Sequence, residues 1–376
     1  MIPCQRPRFP IPQGIAYFNC AYMSPLANDV LAAVSAGAAL KAAPWDYRPE
    51  DFFTHAERAR GAFADLADCD PEAIALVPSA SYGLAIAARN LPLRRGQRIL
   101  VLDGQFPSNV YVWRERASET GGSVETVTRA EDQSWAAALL ERLADDVAIV
   151  AVPNCHWADG SLIDLGTVAA ACRKFGAALV VDATQSLGAM PIDLSEVQPD
   201  FLVAAAYKWL MAPYGTGMLY VAPQHRGGTP IEHNWINRGG SEDFARLVDY
   251  RDDFQPGARR FDMGEKANPP LLMGVVAAAD MLLEWGVERI AATLEVATDQ
   301  IAARAGALGF ETFAKSDRSP HLLSIRFPGA MPQGVGSQLA AKGVHLSVRG
   351  QSLRIAPQVY NNDADIDRLI DALAGL

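Results

Sequence analysis

Residues 177–221, AALVVDATQSLGAMPIDLSEVQPDFLVAAAYKWLMAPYGTGMLYV, limit the fold of this chain more than any other stretch. They contain three short apolar runs, 177–181, 201–206 and 217–221, each bounded by Gly, Pro or polar residues. Runs of that length are too short for helices and read as buried strands. Asp182 closes the first run, and Lys208 stands just past the second in a loop rich in Pro and Gly. In an open α/β sheet, ligands bind at the carboxyl ends of the strands. The stretch therefore predicts a sheet edge that presents one acid and one amine together.

The segments before it alternate in the same manner. Strands are expected at 73–77, 98–102, 123–128 and 147–152, with helices at 84–91, 108–119, 135–144 and 165–175. Such βαβ alternation implies a mostly parallel sheet covered by helices. Ahead of it lie a proline-rich start, a short aromatic strand in IAYFNCAYMSPL, and helices at 28–41 and 49–67. Residues 223–256 are polar and read as a long loop or a set of short elements. A helical region at 270–303 breaks near Trp285 and Gly286. Beyond it the pattern becomes α+β, with strands at 310–313, 322–327, 344–348 and 352–355 and helices around 338–342 and 363–373. The expected organisation is a large domain over 26–256, a small α+β domain over 257–376, and an N-terminal segment, 1–25, that joins the small domain.

Composition removes several function classes. A chain of 376 residues, half hydrophobic and a fifth charged, can bury a substantial core. Its net charge of -10 opposes non-specific nucleic-acid binding, so no nucleic-acid partner is expected. The five cysteines form no C-x-x-C pair, and no secretory h-region opens the chain, which points to a reducing cytoplasm. Charge or Gly interrupts the apolar stretches short of membrane-spanning length, so no membrane association is expected.

Asp182 and Lys208 are the pair that carries chemistry. Taken singly, a strand-end Asp caps a turn and a loop Lys is solvated surface. Lys208, however, sits among Tyr207, Trp209, Leu210 and Met211, and a partly desolvated lysine has a lowered pKa and becomes a nucleophile. Together the two side chains would hold the pyridine nitrogen and the aldehyde carbon of pyridoxal phosphate. Ser79-Ala80-Ser81 lies between a strand and a helix, where free N–H groups and a hydroxyl make a phosphate site; a serine there also serves simply as a helix cap. Phe106 follows the next strand and would either stack on a cofactor ring or seal a loop. Trp157 is a pocket-wall candidate and His156 a weaker one, and Gln185 would bond a ring hydroxyl. Arg354, in LRIAP, would grip a substrate carboxylate with two parallel bonds, with Arg349 as its nearest rival and a surface ion pair as the plain alternative.

YFNCAYMSP, the PSASYG turn, FPSNVYVW, VDATQSLG, YKWLMAPYGTG and LRIAPQVYN span almost the whole chain, and in that order they resemble the class V aminotransferase family. The resemblance implies a fold-type I pyridoxal-phosphate enzyme, an α/β fold with a large domain, a mostly parallel sheet of the seven-stranded type and a smaller α+β C-terminal domain. It implies that Lys208 forms the Schiff base with pyridoxal 5'-phosphate and that Asp182 pairs with the pyridinium nitrogen. Gln185 would meet the ring oxygen, Ala80 and Ser81 the phosphate, with Tyr207 beside it. Phe106 falls where many members carry a ring-stacking histidine and where kynureninases carry Phe. Arg354 would take the substrate carboxylate, with Trp157, Asn19 and Tyr22 also at the substrate. A homodimer with shared active sites is implied, with Asn268 in FDMGEKANPP replacing the threonine that reaches the neighbouring phosphate. No Cys follows Cys172, so the late nucleophilic Cys of the desulfurases is missing.

The resulting expectation is a cytoplasmic pyridoxal-phosphate enzyme acting on an amino acid or a derivative of one, as an aminotransferase or a C–S/C–C lyase. A racemase or epimerase of the same fold, or a non-catalytic binding protein that keeps it, stands as the alternative. An unrelated nucleotide-binding protein is disfavoured, because no G-x-G-x-x-G or G-x-x-x-x-G-K-[ST] follows a strand.

Overall fold

A computed structural model describes all 376 residues. In chain order the elements are β1 (Ala16–Tyr17), α1 (Asn28–Ala39), α2 (Asp51–Ala67), β2 (Ile74–Val77), α3 (Ala80–Asn90), β3 (Arg98–Leu102), α4 (Ser108–Thr120) and β4 (Ser123–Val127). They continue with α5 (Trp135–Arg142), β5 (Val147–Pro153), α6 (Leu165–Phe175), β6 (Ala178–Asp182), α7 (Leu194–Val197), β7 (Phe201–Ala205) and β8 (Gly217–Val221). The C-terminal third holds α8 (Pro269–Trp285), α9 (Val287–Ala307), β9 (Glu311–Thr312), β10 (Leu323–Arg326), α10 (Val335–Ala341), β11 (Val344–His345), β12 (Ser347–Arg349), β13 (Ser352–Ile355) and α11 (Asp363–Ala374).

The main sheet has seven strands in the order β2-β8-β7-β6-β5-β3-β4. Every pairing is parallel except the two made by β8. After β4 reaches one edge, the chain returns past β3 to lay down β5, β6 and β7, so the order reverses between β3 and β5. Ligand crevices in doubly wound sheets open at such a reversal, outside the carboxyl ends of the strands. Alternation along each strand feeds two cores. Leu100, Leu102, Val150, Val152, Val181 and Leu202 join a 61-residue cluster on one face. Ile99, Val101, Ile149, Ala151, Val180 and Val203 join α3 and α4 in a 21-residue cluster on the other.

A second sheet, β12-β13-β10-β9, is antiparallel and packs with α11 and the end of α9 in a third cluster that includes Ala16 and Phe18. The N-terminal segment is tied there by the parallel pair β1–β11. The run expected as one strand at 344–348 is divided at Leu346. Val344–His345 pairs with β1 and Ser347–Arg349 pairs with β13, because the chain passes from one sheet into another. Although α8 lies beyond the boundary drawn at residue 257, Leu272, Val275, Ala278 and Leu282 belong to the large core. No single helix is long and apolar enough to cross a membrane, and α8 and α9 meet at a 73° bend.

Candidate active site

One cavity of about 210 Å³ opens at the carboxyl ends of β5, β6 and β7, and its wall gathers Ala80, Ser81, Phe106, Trp157, Asp182, Gln185, Tyr207 and Lys208. These eight positions come from the carboxyl ends of five different strands, β2, β3, β5, β6 and β7, and the segments that follow them. Only the sheet brings them together.

At one end lies the start of α3. Ser79 is extended and its hydroxyl accepts the Tyr82 N–H, so the helix begins four residues earlier than its apolar pattern suggests. The cap leaves the N–H groups of Ala80 and Ser81 without protein acceptors, and the Ser81 hydroxyl meets that of Ser79 at 2.9 Å. Free N–H groups at the positive end of a helix form a site for an anion.

Asp182 closes β6 at 8 % exposure, and its Oδ1 accepts the Thr184 N–H at 3.0 Å. Burial raises its pKa, opposed by the Thr184 bonds and the charge of Lys208. A cation placed against this carboxylate would relieve that cost. Lys208 is 6 % exposed and has no carboxylate within ion-pair distance. Burial draws its pKa down to about 8 against the pull of Asp182, and Arg354 and Arg349 push the same way as burial. Its Nζ stands 5.4 Å from the Phe106 ring centre and 5.6 Å from that of Tyr207.

The loop that carries Lys208 is held tightly. The Ala206 N–H donates to Thr216 O and the Ala212 N–H to Ala206 O, and Met211 has φ of 53°, a strained value for a non-glycine residue. Gly188 has φ of +90°, and a Cβ there would lie 2.7 Å from the Trp209 carbonyl. The N-terminal segment closes over the same loop, with the Ser24 N–H donating to Tyr207 O at 3.1 Å and the Cys20 thiol to Lys208 O at 3.7 Å.

Gln185 is committed at both ends of its amide. Its Oε1 accepts the Trp209 indole at 2.9 Å and its Nε2 donates to Ala21 O at 3.1 Å, leaving one N–H for a ligand. Behind it, His321 Nε2 meets the Gln185 carbonyl, and burial lowers that imidazole's pKa to about 4, so it is neutral.

Arg354 on β13 stands beside the cavity, 1 % exposed, with Nη1 donating to Trp157 O at 2.7 Å. Its Nε has no partner, no carboxylate pairs with it, and burial lowers its pKa to about 10. Asn19 lies outside the cavity, accepting the Ser347 hydroxyl at 2.7 Å, and Tyr22 is exposed. Asn268 is also elsewhere, capping α8 and lining a separate groove with Lys41 and Tyr47. His156 is not free for catalysis in this arrangement. It stacks on Trp135, and its ring nitrogens meet Asp103 O and Asp159.

Sequence reading missed Thr184, which holds Asp182, and Tyr214, whose ring lies 4.4 Å from that of Tyr207 on the cavity wall. Both sit inside the singled-out motifs DATQ and PYGTG, and that position was the available signal.

The arrangement offers an anion site, a buried acid, an amine with a lowered pKa and an unpaired guanidinium around one cavity. Comparison with known proteins gives the family and the fold. Residues 46–369 match the model of the family described as aminotransferase class-V. An uncharacterized aminotransferase of Bacillus subtilis (strain 168), YcbU, is 28% identical over 326 residues, 85% of this chain and 83% of that protein. The isopenicillin N epimerase of Streptomyces clavuligerus is 24% identical over 356 residues, covering 90% and 88%. Among solved structures, a C-DES mutant with glycine covalently linked to its PLP cofactor superposes with a TM-score of 0.86 at 20% identity, covering 98% and 99% of the two chains.

Proposed function

This chain belongs to the class-V aminotransferase family and is a pyridoxal-phosphate-dependent enzyme, and from that premise we propose that Lys208 holds the cofactor and Arg354 the carboxylate of an amino-acid substrate. Pyridoxal phosphate, when bound, supplies an aldehyde that takes up amines and a ring that accepts the electron pair released at a substrate's Cα. The residues present fit that group. The phosphate would lie on the free N–H groups of Ala80 and Ser81, beside Tyr207. Asp182 would face the ring nitrogen, Gln185 would offer its remaining N–H to the ring oxygen, and Phe106 would cover the ring.

The observation that carries this reading is Lys208 itself, an amine buried without a carboxylate partner and with its pKa drawn down to about 8. A structural lysine at that burial would be paired, as Lys266 is with Asp262 at 2.8 Å. In the reaction Lys208 works twice, as the nucleophile that anchors the cofactor and, once displaced by the substrate amine, as the base that takes the Cα proton. Asp182 keeps negative charge against the ring and so favours its protonated state. Arg354 fixes the substrate so that its Cα–H faces the lysine.

Transamination and C–S or C–C lysis are the outcomes favoured by this reading, with racemisation or epimerisation behind them. Cys155 is the one cysteine on the cavity wall, and its thiol donates to Ser319 Oγ at 3.3 Å. Burial pushes its pKa up to about 12, so it is a poor candidate for a persulfide carrier. We also read the enzyme as a homodimer in which Asn268, outside its own chain's cavity, serves the partner's phosphate.

The test is chemical. Purified protein should be yellow, and borohydride should fix the cofactor to the peptide containing Lys208. Label on another lysine, or none, would overturn the assignment. An amino-acid screen that scores 2-oxo acid from an added acceptor against pyruvate release without one separates transaminase from lyase.

A further inference from the structure

Of the three buried arginines, Arg60, Arg318 and Arg354, two face an acid. Arg60 pairs with Asp262 at 2.7 Å, and Arg318 pairs with Asp299 at 2.5 Å. Arg354, and the half-buried Arg349 near it, do not. Neither has a carboxylate within ion-pair distance, and each keeps a buried Nε–H with no partner. The only side-chain hydrogen bond that Arg349 makes is from Nη1 to the carbonyl of its own neighbour Val348, at 2.8 Å.

The β12–β13 hairpin places the two on one side. Ser347 is opposite Arg354 and Arg349 is opposite Ser352, and residues directly opposed or two apart share a face. Both guanidinium groups approach the Trp157 ring, Arg349 at 5.3 Å and Arg354 at 6.0 Å from its centre. Burial lowers the pKa of both, and their charges act on Lys208. Two further cations thus stand close enough to act on Lys208, against one acid on the cavity wall, Asp182. With Lys208 committed to the cofactor, a substrate with one carboxylate satisfies Arg354 and leaves Arg349 uncompensated. A partly buried cation without a counter-charge is costly.

We propose that the substrate is an amino acid bearing a second carboxylate on its side chain, and that Arg349 receives that group across Trp157. The proposal rests on the assignment of Arg354 to the first carboxylate, and the experiment separates the two. The pyridoxal-phosphate-loaded enzyme is titrated with propionate, succinate and glutarate, none of which can react, and binding is followed calorimetrically and by the cofactor's visible band. The better dicarboxylate should bind about ten- to a hundredfold more tightly than propionate, the worth of one further charge-assisted contact. Arg349→Gln should lower dicarboxylate affinity by that factor and propionate affinity far less, whereas Arg354→Gln should weaken all three. Arg349→Lys, which keeps a point charge, should recover part of the preference and guards against a folding defect.

Equal binding of mono- and dicarboxylates by the wild type, or an equal loss of both in Arg349→Gln, overturns the proposal. If Arg354→Gln leaves propionate binding intact, the first carboxylate assignment fails and the second falls with it.

Discussion

The Arg354 guanidinium donates to the backbone carbonyl of Trp157 across 2.7 Å, joining the C-terminal sheet to the loop after β5, while no acid neutralises its charge. A guanidinium held this way is oriented but unsatisfied, which suits a group waiting for an anion. Stability and activity should therefore separate. Arg354→Gln should leave the melting temperature unchanged or raise it, because an uncompensated buried charge is removed. It should lower kcat/KM for a carboxylate-bearing substrate by about ten- to a hundredfold. Thermal denaturation and steady-state kinetics on one preparation check both. A fall in melting temperature with unchanged kcat/KM would show a structural arginine.

Lys208 predicts a pH dependence. An amine must lose its proton to attack an aldehyde, and burial holds this one at about 8. At neutral pH about a tenth of it is free base, against well under a thousandth for an ordinary lysine near 10.4. Stripped enzyme should accordingly regain its visible band at a rate that rises with pH to a midpoint near 8. Stopped-flow mixing with pyridoxal phosphate between pH 6 and 10 measures it, and a rate still climbing steeply at pH 10 would mean that Lys208 is not desolvated in solution.

What was legible in the sequence was local. Asp182 and Lys208 lie on β6 and the loop after β7, consecutive apolar runs in neighbouring strands, so their meeting follows from short-range pattern. The helix cap at Ser79 was legible because the cap and the helix adjoin. Contacts that join distant segments were not. Nothing in 344–348 says that its first half pairs with residues 16–17 and its second with β13. The commitment of both ends of the Gln185 amide to Ala21 and Trp209 depends on how the N-terminal segment crosses the Lys208 loop. Partner choice over such separations is set by the whole core, and hydrophobic periodicity carries no trace of it.

Gly188 packs against the same loop. Its φ of +90° disfavours any side chain, and a Cβ would press on the Trp209 carbonyl at 2.7 Å. Gly188→Ala should destabilise the enzyme by about 1–3 kcal/mol and displace Trp209 together with Lys208. Denaturant titration should show the loss, with weaker cofactor retention on dialysis. Wild-type retention in a destabilised variant would uncouple this turn from the lysine.

Asp182→Asn keeps the shape of the side chain and removes its charge. Because burial raises the pKa of this carboxyl, the amide should be tolerated and the melting temperature should not fall. Activity should drop by about a hundredfold or more, as when a positioned charge that stabilises a developing one is lost. Circular dichroism melts and turnover, with cofactor content matched, distinguish a chemical role from a folding one.

The last prediction concerns a charge cluster away from the cavity. Asp262 is fully buried, its Oδ2 pairing with Arg60 at 2.7 Å and with Lys266 at 2.8 Å, and its Oδ1 accepting the Leu76 N–H at 2.7 Å. Burial alone would raise its pKa, but the two cations override that and hold it below the ordinary carboxylate range. A carboxyl depressed in the folded state contributes stability that is present above its unfolded value, about 3.9, and is lost as pH falls toward the folded value. Asp262→Ala strands two buried cations, so it should cost about 3–5 kcal/mol at pH 7. Urea titrations at pH 7 and at about pH 3 should show the wild type losing stability on acidification by more than the variant does. Parallel losses in the two proteins would assign the acid sensitivity to other groups and leave this cluster a packing element only.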